Sequence, residues 1–335
     1  MRPQFRRDKL WRREVLVTPG RISVISCEPH AGYANEEMVS ISPVCPFCPG
    51  NEHENVGEWF REEGNTGWQV RGFQNKFPML GDPLEKRVRL NNAASGRCGI
   101  IVTTPEHNLG PSKLSSRNMV AMLDAVGQYV RRETEKYKLS QWTLYQNYGA
   151  VGGASQPHPH WQIVGFQRAS RSVLRRQKYF VSAQKRDGCL VCNDIDKAGE
   201  NGLSVFESQY FSLYVPWAPS MAFHLRLAPN SDFCDASFFR DVCTNAELRA
   251  DFYETLKQGL ARLKSVLQGN AASALLADPA FRLVLVELCD CHFFFELCAP
   301  VSLPASLEWF SMTPIVTANP QVIATRLRSA QTAEA

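Results

Sequence analysis

The stretch Gly152-Gly153-Ala154-Ser155-Gln156-Pro157-His158-Pro159-His160-Trp161-Gln162 puts two imidazoles one residue apart behind a glycine turn. Side chains of an extended chain repeat every second position, so His158, His160 and Gln162 are expected on one face and Pro159 and Trp161 on the other. The following Ile163-Val164-Gly165-Phe166 returns to apolar character, as a strand entering a core should. A lone His-x-His beside prolines reads as a solvated loop. Here the Gly-Gly turn, the hydroxyl of Ser155 and the same-face Gln162 change that balance, because glycines let backbone amides approach a phosphate closely. An imidazole among phosphate donors has the makings of a nucleophile.

A second anchor is Cys45-Pro46-Phe47-Cys48, followed by Pro49-Gly50. A CxxC pair opening a tight turn is a bidentate claw for zinc, which takes four nitrogen or sulfur ligands in a tetrahedron. His107 and His158 can supply the other two. A redox CxxC is the competing reading, weakened by a proline-rich setting without a strand-to-helix elbow. Two buried unligated cysteines rank third.

These residues, taken in order, resemble the galactose-1-phosphate uridylyltransferase family of the histidine triad superfamily. The resemblance runs from Arg7-Asp8 and Cys45-Pro46-Phe47-Cys48 through Phe73-Gln74-Asn75-Lys76-Phe77-Pro78 to Asn147 and the His158-Pro159-His160-Trp161-Gln162 core. It implies zinc on Cys45, Cys48, His107 and His158, and His160 as the nucleophile toward the α-phosphorus of a nucleoside diphosphate sugar. It implies Gln162 on a phosphoryl oxygen, Asn147, Gly153 and Ser155 around the phosphates, Arg21 as a phosphate-binding arginine, and Phe73, Asn75 and Phe77 near the nucleoside. It further implies a nucleoside diphosphate sugar and a sugar 1-phosphate as partners, and a homodimer. Lys76 stands where some members carry an acid, which leaves uridine against adenosine open. Glu308-Trp309-Phe310-Ser311-Met312 falls where relatives contact the sugar phosphate and matches their pattern poorly.

The chain also repeats its own order. Cys45-x-x-Cys48, a helix expected over about residues 116–137, and the His158-x-His160 strand are followed by Cys189-x-x-Cys192, a helix over about 247–267, and His292-Phe293-Phe294-Phe295-Glu296. Cys48 and His158 lie 110 positions apart, Cys192 and His292 100. His158 then matches His292, His160 matches Phe294 and Gln162 matches Glu296. The second half keeps one metal ligand and has phenylalanine where the nucleophile would stand, so it is expected to be catalytically silent. A second metal site on Cys189, Cys192 and His292 is weighed equally against a CxxC that has lost its metal; Asp232 and Cys234 compete as its fourth ligand, and Glu296 is expected to remain beside the cysteines.

The architecture this predicts is α+β: two histidine-triad-like halves, residues 1–170 catalytic and 185–328 duplicated, each a mainly antiparallel sheet with a packed helix, the sheets continuous. Ser115 should cap the first long helix, whose Met119, Met122, Leu123, Val126 and Val130 recur at core spacing. Residues 167–188, rich in Arg, Lys, Ser and Gln, read as the linker, and residues beyond about 329 as frayed. A net charge of +4 is too small to argue for nucleic acid. No apolar run suits a membrane helix and no signal-peptide core follows Met1. Eleven cysteines without such a signal fit metal ligation and buried thiols in a reducing, cytoplasmic setting. The function expected is nucleotidyl exchange between a nucleoside diphosphate hexose and a hexose 1-phosphate. A phosphorylase using inorganic phosphate is the alternative, and an inactive zinc-stabilised binding protein the third reading.

Overall fold

The computed structural model describes residues 3–19, 39–84, 94–267, 277–288, 291–301 and 304–330. Ten strands form one sheet. Five come from the first half: β3 (Val56–Gly64), β4 (Gly67–Gln74), β5 (Gly96–Val102), β6 (Gln141–Tyr148) and β7 (His160–Phe166). Five come from the second: β8 (Ser204–Glu207), β9 (Phe211–Tyr214), β10 (Phe223–Pro229), β11 (Phe281–Val286) and β12 (Phe294–Ala299). Their order is β3-β4-β5-β7-β6-β11-β12-β10-β9-β8, every pairing antiparallel. Read outward from the β6–β11 seam, the halves mirror one another strand for strand. The continuous sheet expected from the repeat is what the chain forms.

Two long helices cover one face. α1 (Ser116–Tyr137) starts where the Ser115 hydroxyl accepts the Asn118 amide at 3.1 Å, satisfying a donor that the first turn leaves open. It buries Met119, Met122, Leu123, Val126 and Val130, and α4 (Ala246–Leu267) buries Phe252, Leu256, Leu260 and Leu263, the positions that helical spacing singles out. Both pack into one core with Trp142, Leu144, Trp161 and Ile163 from the sheet. The strand period then sends Tyr145, Asn147, His160 and Gln162 to the opposite face.

Residues 167–188 are not a slack linker. Ser170 accepts the Val173 amide and starts α2 (Arg171–Asp187), which runs to Gly188 and buries Phe180 and Ala183. The segment is rich in long polar residues, which are good helix formers, and two apolar contacts are enough to seat it. α3 (Leu190–Glu200) follows at once. The N-terminus forms a hairpin, β1 (Gln4–Asp8) and β2 (Arg13–Val17), extended by β13 (Ile315–Val316) into a small sheet. Short helices α5 (Ser306–Ser311) and α6 (Pro320–Ser329) complete the described chain, and α6 carries regular structure to residue 329.

Candidate active site and metal centres

β7 begins at His160, two residues later than the alternation from His158 suggests. Pro157 and Pro159 have no amide hydrogen to give to a ladder, so pairing starts only where the prolines stop. The consequence is a division of labour between the two imidazoles. His158 turns toward the cysteines: its Nε2–H donates to the Thr104 carbonyl at 2.8 Å, which leaves the Nδ1 lone pair 3.5 Å from Cys48 Sγ and 3.8 Å from Cys45 Sγ. His107 Nδ1 lies 3.3 Å from Cys48 Sγ.

These separations decide whether a metal fits. Bonds of about 2.3 Å to sulfur and 2.0–2.1 Å to nitrogen at tetrahedral angles put ligand atoms roughly 3.5 Å apart. The ligand atoms of Cys45, Cys48, His107 and His158 all lie within 4.8 Å of one another, and all four residues are buried. Burial pushes the Cys45 thiol up to about 12 and pulls the His158 imidazole down to about 4. An imidazole held neutral with its lone pair inward suits a metal, and a thiolate there needs a cation beside it. The cluster can therefore hold a metal ion.

His160 is presented differently. Its Nδ1–H donates to the His158 carbonyl at 2.9 Å, so the lone pair sits on Nε2. The Phe47 ring, inside the CxxC turn, packs edge-on against it with centroids 5.2 Å apart. Burial lowers its pKa, keeping the ring neutral. Gln162 lies two residues along the same face, and its Oε1 accepts the Tyr145 hydroxyl at 2.9 Å, which leaves the amide N–H groups as donors. Asn147 Nδ2 donates to the Gly153 carbonyl at 3.4 Å, tying the glycine turn to β6. Gly153 has φ +90°, and a Cβ on Gly152 would strike the Tyr148 and Phe281 carbonyl oxygens, so both turn positions need glycine. Ser155 is exposed at the mouth of the turn.

The aromatic residues are spread out. Phe73 is 2 % exposed, its ring 5.6 Å from Phe47, so it supports the site from beneath. Asn75 spends its Oδ1 on the Phe77 amide at 2.9 Å, and Phe77 is 84 % exposed. Lys76 pairs with Glu54 at 3.2 Å. Arg21 lies outside the described residues. Tyr145 and Phe47 were not legible as site residues, because only pairing of β6 with β7 and closure of the CxxC turn bring them in.

In the second half, His292 repeats the geometry of His158. Its Nε2–H donates to the Pro229 carbonyl at 2.9 Å, and Nδ1 faces Cys189 Sγ at 3.3 Å and Cys192 Sγ at 3.5 Å. These three residues also form a group able to hold a metal. The Cys234 thiol lies within hydrogen-bonding reach of Cys192, whereas Asp232 is exposed on a short helical turn. Glu296 does not stay beside the cysteines as expected. It sits two residues into β12 and is taken by Arg226 Nε at 2.9 Å, the Trp11 indole at 2.6 Å and His224. Arg226 binds Asp8 and Asp194 as well, at 2.9 and 2.8 Å, so the hairpin and α3 close over this face. A buried guanidinium recruits every carboxylate within reach.

Among the described residues no helix is long and apolar enough to cross a membrane.

Residues 1–168 match the family model described as the galactose-1-phosphate uridyl transferase N-terminal domain. The chain is 22 % identical to an ADP-glucose phosphorylase of Arabidopsis thaliana, across 90 % of this chain and 85 % of that protein. It is 26 % identical to the galactose-1-phosphate uridylyltransferase of Thermotoga maritima, across 55 % and 57 %. A crystal structure of an ADP-glucose phosphorylase from Arabidopsis thaliana with bound ADP-glucose superposes with a TM-score of 0.79 at 20 % identity, covering 99 % of this chain and 100 % of that one. That likeness is one of fold, and it agrees with the α+β arrangement built strand by strand above. With a family model spanning its first half and the fold continuing through its second, the chain belongs to the galactose-1-phosphate uridyl transferase family.

Proposed function

We propose that the protein is a nucleotidyltransferase that passes a nucleoside monophosphate from a nucleoside diphosphate hexose to an anionic acceptor through a covalent nucleotidyl-His160. The observation that carries this is the His160 tautomer: Nδ1–H is held by a backbone carbonyl, leaving the Nε2 lone pair for phosphorus. In the first step Nε2 attacks the α-phosphorus, a P–N bond forms, and the P–O bond to the sugar 1-phosphate breaks. In the second an acceptor phosphate oxygen attacks the same phosphorus, the P–N bond breaks and the imidazole is regenerated. The Gln162 amide, the Asn147 amide and the Ser155 hydroxyl serve as donors for oxygens whose charge shifts in each transition state, while the Gly153 and Ala154 amides hold the turn through the Ala150 and Gly149 carbonyls.

Zinc on Cys45, Cys48, His107 and His158 is the metal we infer, from the Cys2His2 donor set and its tetrahedral spacing. When bound it cross-links the CxxC turn to the strand that presents His160. The repeated geometry supports a second zinc on Cys189, Cys192 and His292, with Cys234, beside Cys192, as the nearer of the two fourth-ligand candidates.

For the acceptor, inorganic phosphate is favoured. One relative, matched across 90 % of this chain and 85 % of its own length, is an ADP-glucose phosphorylase. In α5, both Glu308 carboxylate oxygens accept backbone amides, from Ala305 at 2.8 Å and Ile315 at 2.9 Å, and Trp309 and Phe310 are apolar and exposed. That leaves this segment little with which to read sugar hydroxyls. Exchange onto a hexose 1-phosphate is the second reading, supported by the uridylyltransferase relatives and by the family model of the first half. A homodimer is proposed on the family resemblance, and a cytoplasmic setting on eleven cysteines read as metal ligands and buried thiols.

The test is to load the protein with ADP-glucose or UDP-glucose labelled at the α-phosphate, isolate an acid-labile adduct, and chase it. Discharge by inorganic phosphate to a nucleoside diphosphate is the expected result. Discharge by hexose 1-phosphate alone selects the second reading, and absence of any adduct refutes the mechanism.

A further inference from the structure

The seam between the halves places a cation beside the proposed phosphate site. Asn147 of β6 pairs directly with Arg282 of β11, and directly opposed residues of antiparallel strands share a face. His160 stands at the start of β7, the neighbour of β6 on the other side. Adjacent strands lie about 4.8 Å apart, so Arg282 rises from the sheet roughly 10 Å from the His160 strand, with Asn147 between them. An extended arginine spans most of that gap.

The Arg282 guanidinium already reaches back across the seam. Its Nε donates to the Gly152 carbonyl at 3.3 Å and its Nη2 to the Val151 carbonyl at 3.2 Å. Those are the residues that lead into Gly153 and Ser155. Among the described residues no carboxylate is paired with Arg282, whereas Arg71, Lys76, Arg97 and Arg226 each have at least one. His160, Gln162, Tyr145, Asn147, Gly153 and Ser155 carry no positive charge at neutral pH. The substrate carries two phosphates and its acceptor carries another, and neutral donors alone leave that charge uncompensated.

We propose that Arg282, supplied by the second half, binds the phosphate group that leaves in the first step and the one that enters in the second. This rests on the nucleotidyl-His160 reading and assigns its anion site. The two phosphates occupy one position because the second step reverses the geometry of the first, so one guanidinium serves both. A bidentate fork suits a phosphate that must be held in line with the P–N bond. The second half then has a part in the reaction without a nucleophile of its own.

The experiment compares wild type, Arg282→Ala and Arg282→Lys, full chain in each case. It follows the donor concentration needed for half-maximal adduct and the inorganic phosphate concentration needed for half-maximal discharge. Arg282→Ala is expected to raise both at least about tenfold, as for losing a hydrogen bond to a charged group. Arg282→Lys should recover only part of the loss, since a point charge keeps the attraction but not the fork. Unchanged half-saturation in Arg282→Ala overturns the proposal. So does equal impairment of both variants accompanied by a lower thermal midpoint, which marks a clamp on the turn and nothing more. If wild type itself forms no adduct, the nucleotidyl-histidine reading falls and this proposal with it; an adduct on wild type with unaltered variants removes the anion site alone.

Discussion

His160 and Phe294 open corresponding strands of a mirrored sheet, each two residues after an imidazole that donates Nε2–H to a carbonyl and turns Nδ1 toward a CxxC pair. Up to that point the two halves solve one problem in one way. Beyond it they diverge. In the first half the face after the strand start carries Gln162, Tyr145 and Asn147 beside a glycine turn. In the second, Glu296 is locked to Arg226, Trp11 and His224, and Asp8 and Asp194 complete a buried charge network. The Cys-Cys-His geometry thus outlasts the open face beside it. Cys2His-type geometry is a means of fixing a strand start, and chemistry depends on what is left uncovered next to it.

The largest effect that would break this contrast is at the proposed nucleophile. His160→Gly should lower exchange by on the order of 10⁴ or more, as removal of other covalent nucleophiles does. Added nucleotidyl imidazole should still react with acceptor, because the cavity admits the missing ring while the donors stay in place. Full activity in this variant would end the assignment.

The covered face makes a stability prediction. Asp8 and Arg226 are almost fully buried, 0 % and 1 % exposed at their side chains. Asp8→Ala removes one carboxylate from a buried guanidinium that keeps Asp194 and Glu296, and should cost about 1.5–3 kcal/mol. Chemical denaturation gives the number, and a loss below about 1 kcal/mol would show that the hairpin merely rests on the second half. Where the variant still folds, adduct formation at His160 should persist.

A third comparison uses the metals. Cys45→Ser and Cys189→Ser should each lose about one equivalent of zinc and lower the thermal midpoint, since ligand loss unties segments distant in sequence. Only Cys45→Ser should also slow adduct formation, because that site fixes the strand of His160. Unchanged metal content in Cys45→Ser would count against the first ligand set, and unchanged content in Cys189→Ser would leave the second CxxC as a packing feature.

The smallest expected effect is a null one. Phe294→His should not raise the adduct above one per chain, because Gln162, Asn147 and the glycine turn have no counterpart around Glu296. Two adducts in wild type, one mapped to the second half, would overturn the view that this half is silent.

Much of this was legible without the fold. The CxxC pairs, the spacing of His158, His160 and Gln162, and the repeat of that order at His292 are local or periodic signals. The core faces of α1 and α4 follow from helical spacing, since burial of a stripe is a property of the segment itself. Other features depended on contacts between distant segments. α2 looked like a linker because its polar composition hides the two side chains that seat it. Glu296 looked like a neighbour of Cys189 and Cys192, yet a charged side chain goes to the nearest counter-charge, and Arg226 arrives from another strand. Sequence determined which residue types could bind metal or attack phosphorus and that the unit occurs twice. Tertiary structure alone decided which copy stays open, because coverage depends on where the N-terminal hairpin docks, and it alone put Arg282 next to Asn147, because strand register is fixed by packing of the whole sheet.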